Sequence, residues 1–91
     1  MRAMTIIDRI ELLLTDIGKD EVKATWQLSS LRTLLQKYMK EDPDGWKREG
    51  KPTPMENKLI DLYHDYVETT ASLTAKRNKL ENLMKQALDK D

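Results

Sequence analysis

His64 is the chain's single imidazole, and Asp61, Asp65 and Glu68 stand three or four residues from it or from one another. On a helix that spacing gathers oxygen and imidazole groups on one face, the donor set a divalent metal takes in paired-helix bundles. His64 falls at the helical position farthest from the apolar residues, however. The same spacing then describes a solvated polar face, and that reading predicts no metal.

The other residue type that could do chemistry is Trp46, in Gly45-Trp46-Lys47-Arg48-Glu49-Gly50-Lys51. An aromatic beside three bases is the make-up of a site that stacks on a nucleic-acid base and contacts phosphate. Glu41, Asp42, Asp44 and Glu49 offset those bases. The local balance therefore favours a Trp46 that folds back over a hairpin end onto Tyr38, Met39, Met55 or Leu59, or that contacts a protein. Catalytic sets are missing from the sequence: it has no cysteine nucleophile, no Ser-His-acid arrangement and no glycine-rich phosphate loop. The acids are scattered over solvated positions rather than paired, so the sequence predicts a non-enzyme without a cofactor.

These residues must be positioned by helices. In 91 residues there are no Phe or Cys, three Gly and three Pro, and 35% of the side chains are charged, a composition that suits one small, elongated helical domain. Ala3, Ile7, Ile10, Leu14, Ile17, Glu21, Ala24, Leu28, Leu31, Leu35 and Tyr38 are spaced alternately four and three apart. That is a heptad seam, and its unbroken phase predicts one helix over about residues 5–40. Gly18, between Asp16 and Asp20, is where that helix would break to give a three-helix bundle instead. Thr5 and Asp8 form a capping signal at its start.

From 41 to 53 the periodicity stops. Asp42-Pro43-Asp44-Gly45 has the residues of a type I turn, and Gly50 and Pro52 prevent helical continuation. Thr53-Pro54-Met55-Glu56 then restarts a helix: Thr53 caps, Pro54 suits the first helical position and Glu56 completes a capping box. The second helix, about 54–88, has its own seam of Met55, Leu59, Leu62, Tyr66, Thr69, Leu73, Lys76, Leu80, Leu83 and Ala87.

Antiparallel pairing of the two seams sets Leu35 against Leu62, Leu31 against Tyr66, Ala24 against Leu73, Ile17 against Leu80 and Leu14 against Leu83. The two charged seam residues, Glu21 and Lys76, then share a layer, the kind of polar contact that fixes register. Opposite charge at the chain ends suits this hairpin. Residues 1–22 carry three bases against five acids, and residues 70–91 carry five bases against three acids.

Sixteen basic and sixteen acidic side chains cancel, which argues against nucleic acid as the partner. No apolar run approaches the roughly 20 residues that span a bilayer, and Asp8, Arg9 and Glu11 interrupt any signal-peptide core at the N-terminus. The lack of cysteine points to a reducing, cytoplasmic setting. Apolar residues remain outside both seams. Ile6, Leu12, Leu13 and Trp26 on the first helix, Ile60, Tyr63 and Val67 on the second, and Trp46 in the loop are the candidate protein-interface residues. They predict an all-α helical hairpin that dimerises into a four-helix bundle and binds protein as an adaptor, inhibitor or subunit.

Two long helices joined by a Trp-bearing loop also resemble, in layout, the WXG100 secretion substrates. That resemblance implies a secreted helical hairpin. A nucleic-acid-binding accessory protein, acting through Trp46 with Lys76, Arg77 and Lys79, is a third expectation.

Overall fold

Each helix starts where a threonine caps it. In the computed structural model, which describes residues 5–89, α1 spans Ile6–Glu41 and α2 spans Pro54–Leu88. The Asp8 amide donates to Thr5 Oγ1 and the Thr5 amide to Asp8 Oδ2, both at 3.1 Å. At α2 the Thr53 amide donates to Glu56 Oε1 at 2.8 Å and the Glu56 amide to Thr53 Oγ1 at 3.3 Å. Two reciprocal capping boxes thus satisfy amide groups that a helix start leaves without partners. No break occurs at Gly18, so the hairpin stands and the three-helix alternative does not.

Between the helices, the Gly45 amide donates to the Asp42 carbonyl at 3.0 Å, closing the turn the sequence predicts, and a 3-10 turn, Gly45–Lys47, follows. Gly50 adopts φ 111°, a left-handed conformation that glycine takes without steric cost.

The second seam is as the heptads predict. Its ten positions, Met55 to Ala87, are all buried or half-buried. In the first seam only one row is right: Ile10, Ile17, Ala24, Leu31 and Tyr38 face inward, while Ile7, Leu14, Glu21, Leu28 and Leu35 are exposed. Their places are taken by the residues immediately before them, Ile6, Leu13, Asp20, Gln27 and Leu34. Ala3 lies outside the described residues. The physical reason is a run of doublets: Ile6-Ile7, Leu13-Leu14 and Leu34-Leu35 serve either setting of the helix equally well, so polar matching decides. Thr69 and Lys76 stand seven apart on α2, and Asp20 with Gln27 supplies a polar pair at the same spacing on α1. Glu21 with Leu28 does not.

Register on that row is accordingly one residue from the predicted one. Lys76 Nζ lies 2.8 Å from Asp20 Oδ2, and Ser72 Oγ donates to the same oxygen at 3.2 Å. Leu13, not Leu14, lies in the groove that Leu83 lines, and Leu34, not Leu35, lies beside Leu62.

The molecule measures 61 × 23 × 19 Å with a radius of gyration of 19.7 Å, against about 12 Å for a compact domain of this length. Its core is correspondingly thin. Ile10, Leu13, Ile17, Leu73 and Leu83 form the buried cluster, with Ile6, Ala24, Leu80 and Ala87 packed against it, toward the end away from the loop.

Candidate functional site

The loop end is held by a polar clasp. Tyr38, buried in the last turns of α1, donates its hydroxyl to Glu56 Oε2 at 2.6 Å. Arg48 pairs with Asp42 and lies 4.0 Å from Glu56 Oε1. Its hydrogen bond to Asp42 raises the Arg48 pKa. The bond to Glu56, followed by burial, raises that of Tyr38. Gly45 fits because it has no side chain: a Cβ there would collide with the Tyr38 hydroxyl and the Asp42 carboxylate.

Trp46 does not take part. It is 72% exposed, so the expected packing onto Tyr38, Met39, Met55 or Leu59 does not form. The clasp fills the hairpin end with hydrogen bonds instead, and Trp46 projects from the 3-10 turn with Lys47 Nζ 5.1 Å from its ring centroid. Two of the bases beside it are engaged by acids of the same loop, Lys47 by Asp44 at 3.7 Å and Arg48 by Asp42.

Along the hairpin, one side carries grooves in which charged residues stand beside apolar ones. Arg9 and Asp16 line a groove with Lys79, and Lys23 lines the next with Asp65, Glu68 and Ser72. Lys37 and Lys58 line a third beside Leu34 and Leu62. Asp20, Gln27 and Thr69 lie in the middle groove. Gln27 Oε1 is buried there without a hydrogen-bond partner, whereas the buried Thr69 hydroxyl donates to the Asp65 carbonyl at 3.1 Å.

The opposite side is apolar. In an antiparallel pair the flank of α1 away from those grooves shares a side with the matching flank of α2, by helical periodicity alone. On α1 that flank carries Ile7, Leu14, Leu28, Leu35 and Met39, all exposed; on α2 it carries Ile60, Tyr63, Val67, Met84 and Leu88, also exposed. Glu21 interrupts the stripe near mid-length on α1, and Thr70, Thr74, Arg77 and Glu81 separate Val67 from Met84 on α2.

The candidate interface residues therefore divide. Ile60, Tyr63 and Val67 lie exposed on the apolar side. Leu13 is buried and Ile6 packs against the core, so neither is a free interface residue; the shifted row has drawn both into the hairpin. Leu12 and Trp26 are exposed, but on the flank of α1 nearer the charged grooves. What the sequence reading missed is the row Ile7, Leu14, Leu28 and Leu35, which the doublets hid inside the seam. His64 is exposed, as are Asp61, Asp65 and Glu68; among the described residues no group of three or more such side chains is arranged to hold a metal. No described helix is long and apolar enough to cross a membrane. No protein-family model, no curated protein and no solved structure matches the chain.

Proposed function

We propose that this chain is a small, non-catalytic protein-interaction module that works by presenting the apolar side of its hairpin to another protein surface. One observation carries the reading: ten exposed Ile, Leu, Met, Tyr and Val side chains are collected on one side of the two helices, away from the grooves that charged residues line. Monomers rarely keep this many large apolar side chains together in water. The anchors would be Leu35 and Tyr63, which stand at the same height near the loop. A cytoplasmic setting belongs to the same reading and is supported by a chain that uses no cysteine.

Affinity capture from the native host tests it. Wild-type chain should retain protein that Leu35→Glu with Tyr63→Glu loses, while Thr33→Glu, on the other flank of α1, retains it. Circular dichroism confirms that each variant keeps its helices. Capture indifferent to the apolar side, or recovery only of nucleic acid released by salt, overturns the reading.

A further inference from the structure

We propose that the occupant of the apolar side is a second copy of this chain, docked side by side with both loops at the same end. α1 of each protomer then lies across α2 of the other. The inference rests on the interaction reading above and names its partner.

Area is the first argument. The chain exposes 7492 Å², where a compact protein of 10.7 kDa exposes about 5,500 Å². The surplus, roughly 2,000 Å², exceeds the roughly 800 Å² per partner that a standard interface covers. A two-fold pairing of the apolar sides turns an open two-helix layer into a four-helix bundle in which every neighbouring pair of helices is antiparallel.

Charge selects the arrangement. The α1 stripe, Ile7, Leu14, Glu21, Leu28 and Leu35, is symmetric about Glu21. A copy inverted end for end can match leucine to leucine only by setting Glu21 against the partner's Glu21, and it brings Arg77 toward the partner's Arg77. A copy docked side by side keeps every residue at its own height. Because Asp20 and Lys76 share a layer, the next residue on each helix, Glu21 and Arg77, lies close to that height. Glu21 of one chain therefore meets Arg77 of the other, twice by symmetry, with apolar clusters on both sides of the pair.

Like charges in a desolvated layer add repulsion to the cost of desolvation, whereas the attraction of opposite charges offsets that cost. The inverted arrangement would offset its repulsion only by Arg32 against Glu11. That contact lies at the rim, where an exposed ion pair is worth little.

A chain without cysteine makes the test direct. Sedimentation velocity at micromolar concentration should show a dimer. When Leu28→Cys and Thr70→Cys chains are mixed under mild oxidation, a disulfide should form between them, because α1 of one protomer crosses α2 of the other there. Leu14→Cys mixed with Leu28→Cys should not cross-link. Glu21→Arg should weaken dimerisation about tenfold, and Glu21→Arg with Arg77→Glu should restore it.

A cross-link between Leu14→Cys and Leu28→Cys would overturn the arrangement. A monomeric wild type ends the proposal altogether. If that monomer still captures a host protein through Leu35 and Tyr63, the broader interaction reading survives; if it does not, both fall.

Discussion

The Tyr38 hydroxyl donates to Glu56 across 2.6 Å, joining the last turns of α1 to the first turn of α2. Glu56 also completes the capping box of its own helix, so one carboxylate starts α2 and fastens α1. Tyr38→Phe should lower the Tm while leaving the Thr53 cap in place. Glu56→Ala should lower it further, because it removes both contacts. Thermal unfolding followed by circular dichroism checks the order of the two.

Acid should loosen the hairpin at two heights. Glu56 is held below the ordinary glutamate value of 4.5, first by the Thr53 amide and then by the Tyr38 hydroxyl. Asp20 is held below 3.8, first by its hydrogen bond from Lys76. A carboxyl whose pKa is lowered by folding contributes stability above its unfolded value and loses it as pH falls through the folded value. The Tm should therefore drop as pH falls below about 4.5, and Glu56→Gln should make that drop shallower. Tyr38 has the opposite sign: its pKa is raised above 10.0, so its contribution is full below that pH and is lost above it. A Tm that stays level from neutral pH down through the carboxylate range would contradict this account.

Asp20 and Lys76 should behave as a unit. Replacing Asp20 alone leaves a half-buried ammonium without its partner, and replacing Lys76 alone leaves the carboxylate, so each single change to Leu should destabilise more than the double change. The pair also fixes how α1 is rotated against α2, so the double variant should have a less defined register. A double-mutant cycle in urea measures the coupling, and simple additivity would refute it.

The three glycines should respond in different directions. At Gly18 nothing lies within 4 Å of an added Cβ, and Gly18→Ala should stabilise the protein by roughly 0.5–1 kcal/mol. Gly45→Ala must push apart Tyr38 and Asp42 and should destabilise it. Gly50→Ala, at a positive φ, should do so through about 1 kcal/mol of backbone strain. Urea midpoints decide all three.

Trp26 and Trp46 are 74% and 72% exposed; Trp26 lies off the apolar side, and Trp46 projects from the loop. Tryptophan emission should resemble that of the free amino acid, should be readily quenched by iodide, and should not change with protein concentration. A blue shift on concentration would place one of them in an interface.

Much of this was legible in the sequence. The Thr53-Pro54-Met55-Glu56 cap, the Asp42 to Gly45 turn and the whole second seam follow from local chemistry, and each is found where its residues predict. The rotation of α1 was harder to read because hydrophobicity is degenerate at Ile6-Ile7, Leu13-Leu14 and Leu34-Leu35, and it prefers Leu28 to Gln27. Matching the seven-residue polar spacing of Thr69 and Lys76 to Asp20 and Gln27 would have resolved it. Trp46 escaped for another reason. Whether an aromatic covers a hairpin end depends on what else can fill that end, and the Tyr38, Asp42, Arg48 and Glu56 clasp is a long-range arrangement with no local signature.

The placement of the buried cluster away from the loop bears on how the chain folds. Tyr38 and Glu56 are 18 residues apart, whereas Asp20 and Lys76 are 56 apart, and closing the longer span costs about 1 kcal/mol more in chain entropy. Contacts near the loop are thus the quickest to meet, and they join the polar clasp to seam residues that are only half-buried; those near the termini are the slowest, and they include the buried Leu13 and Leu83. Folding should start as a zipper at the clasp and close the far end last, after the transition state, so core truncations at Leu13 or Leu83 should accelerate unfolding more than they slow folding.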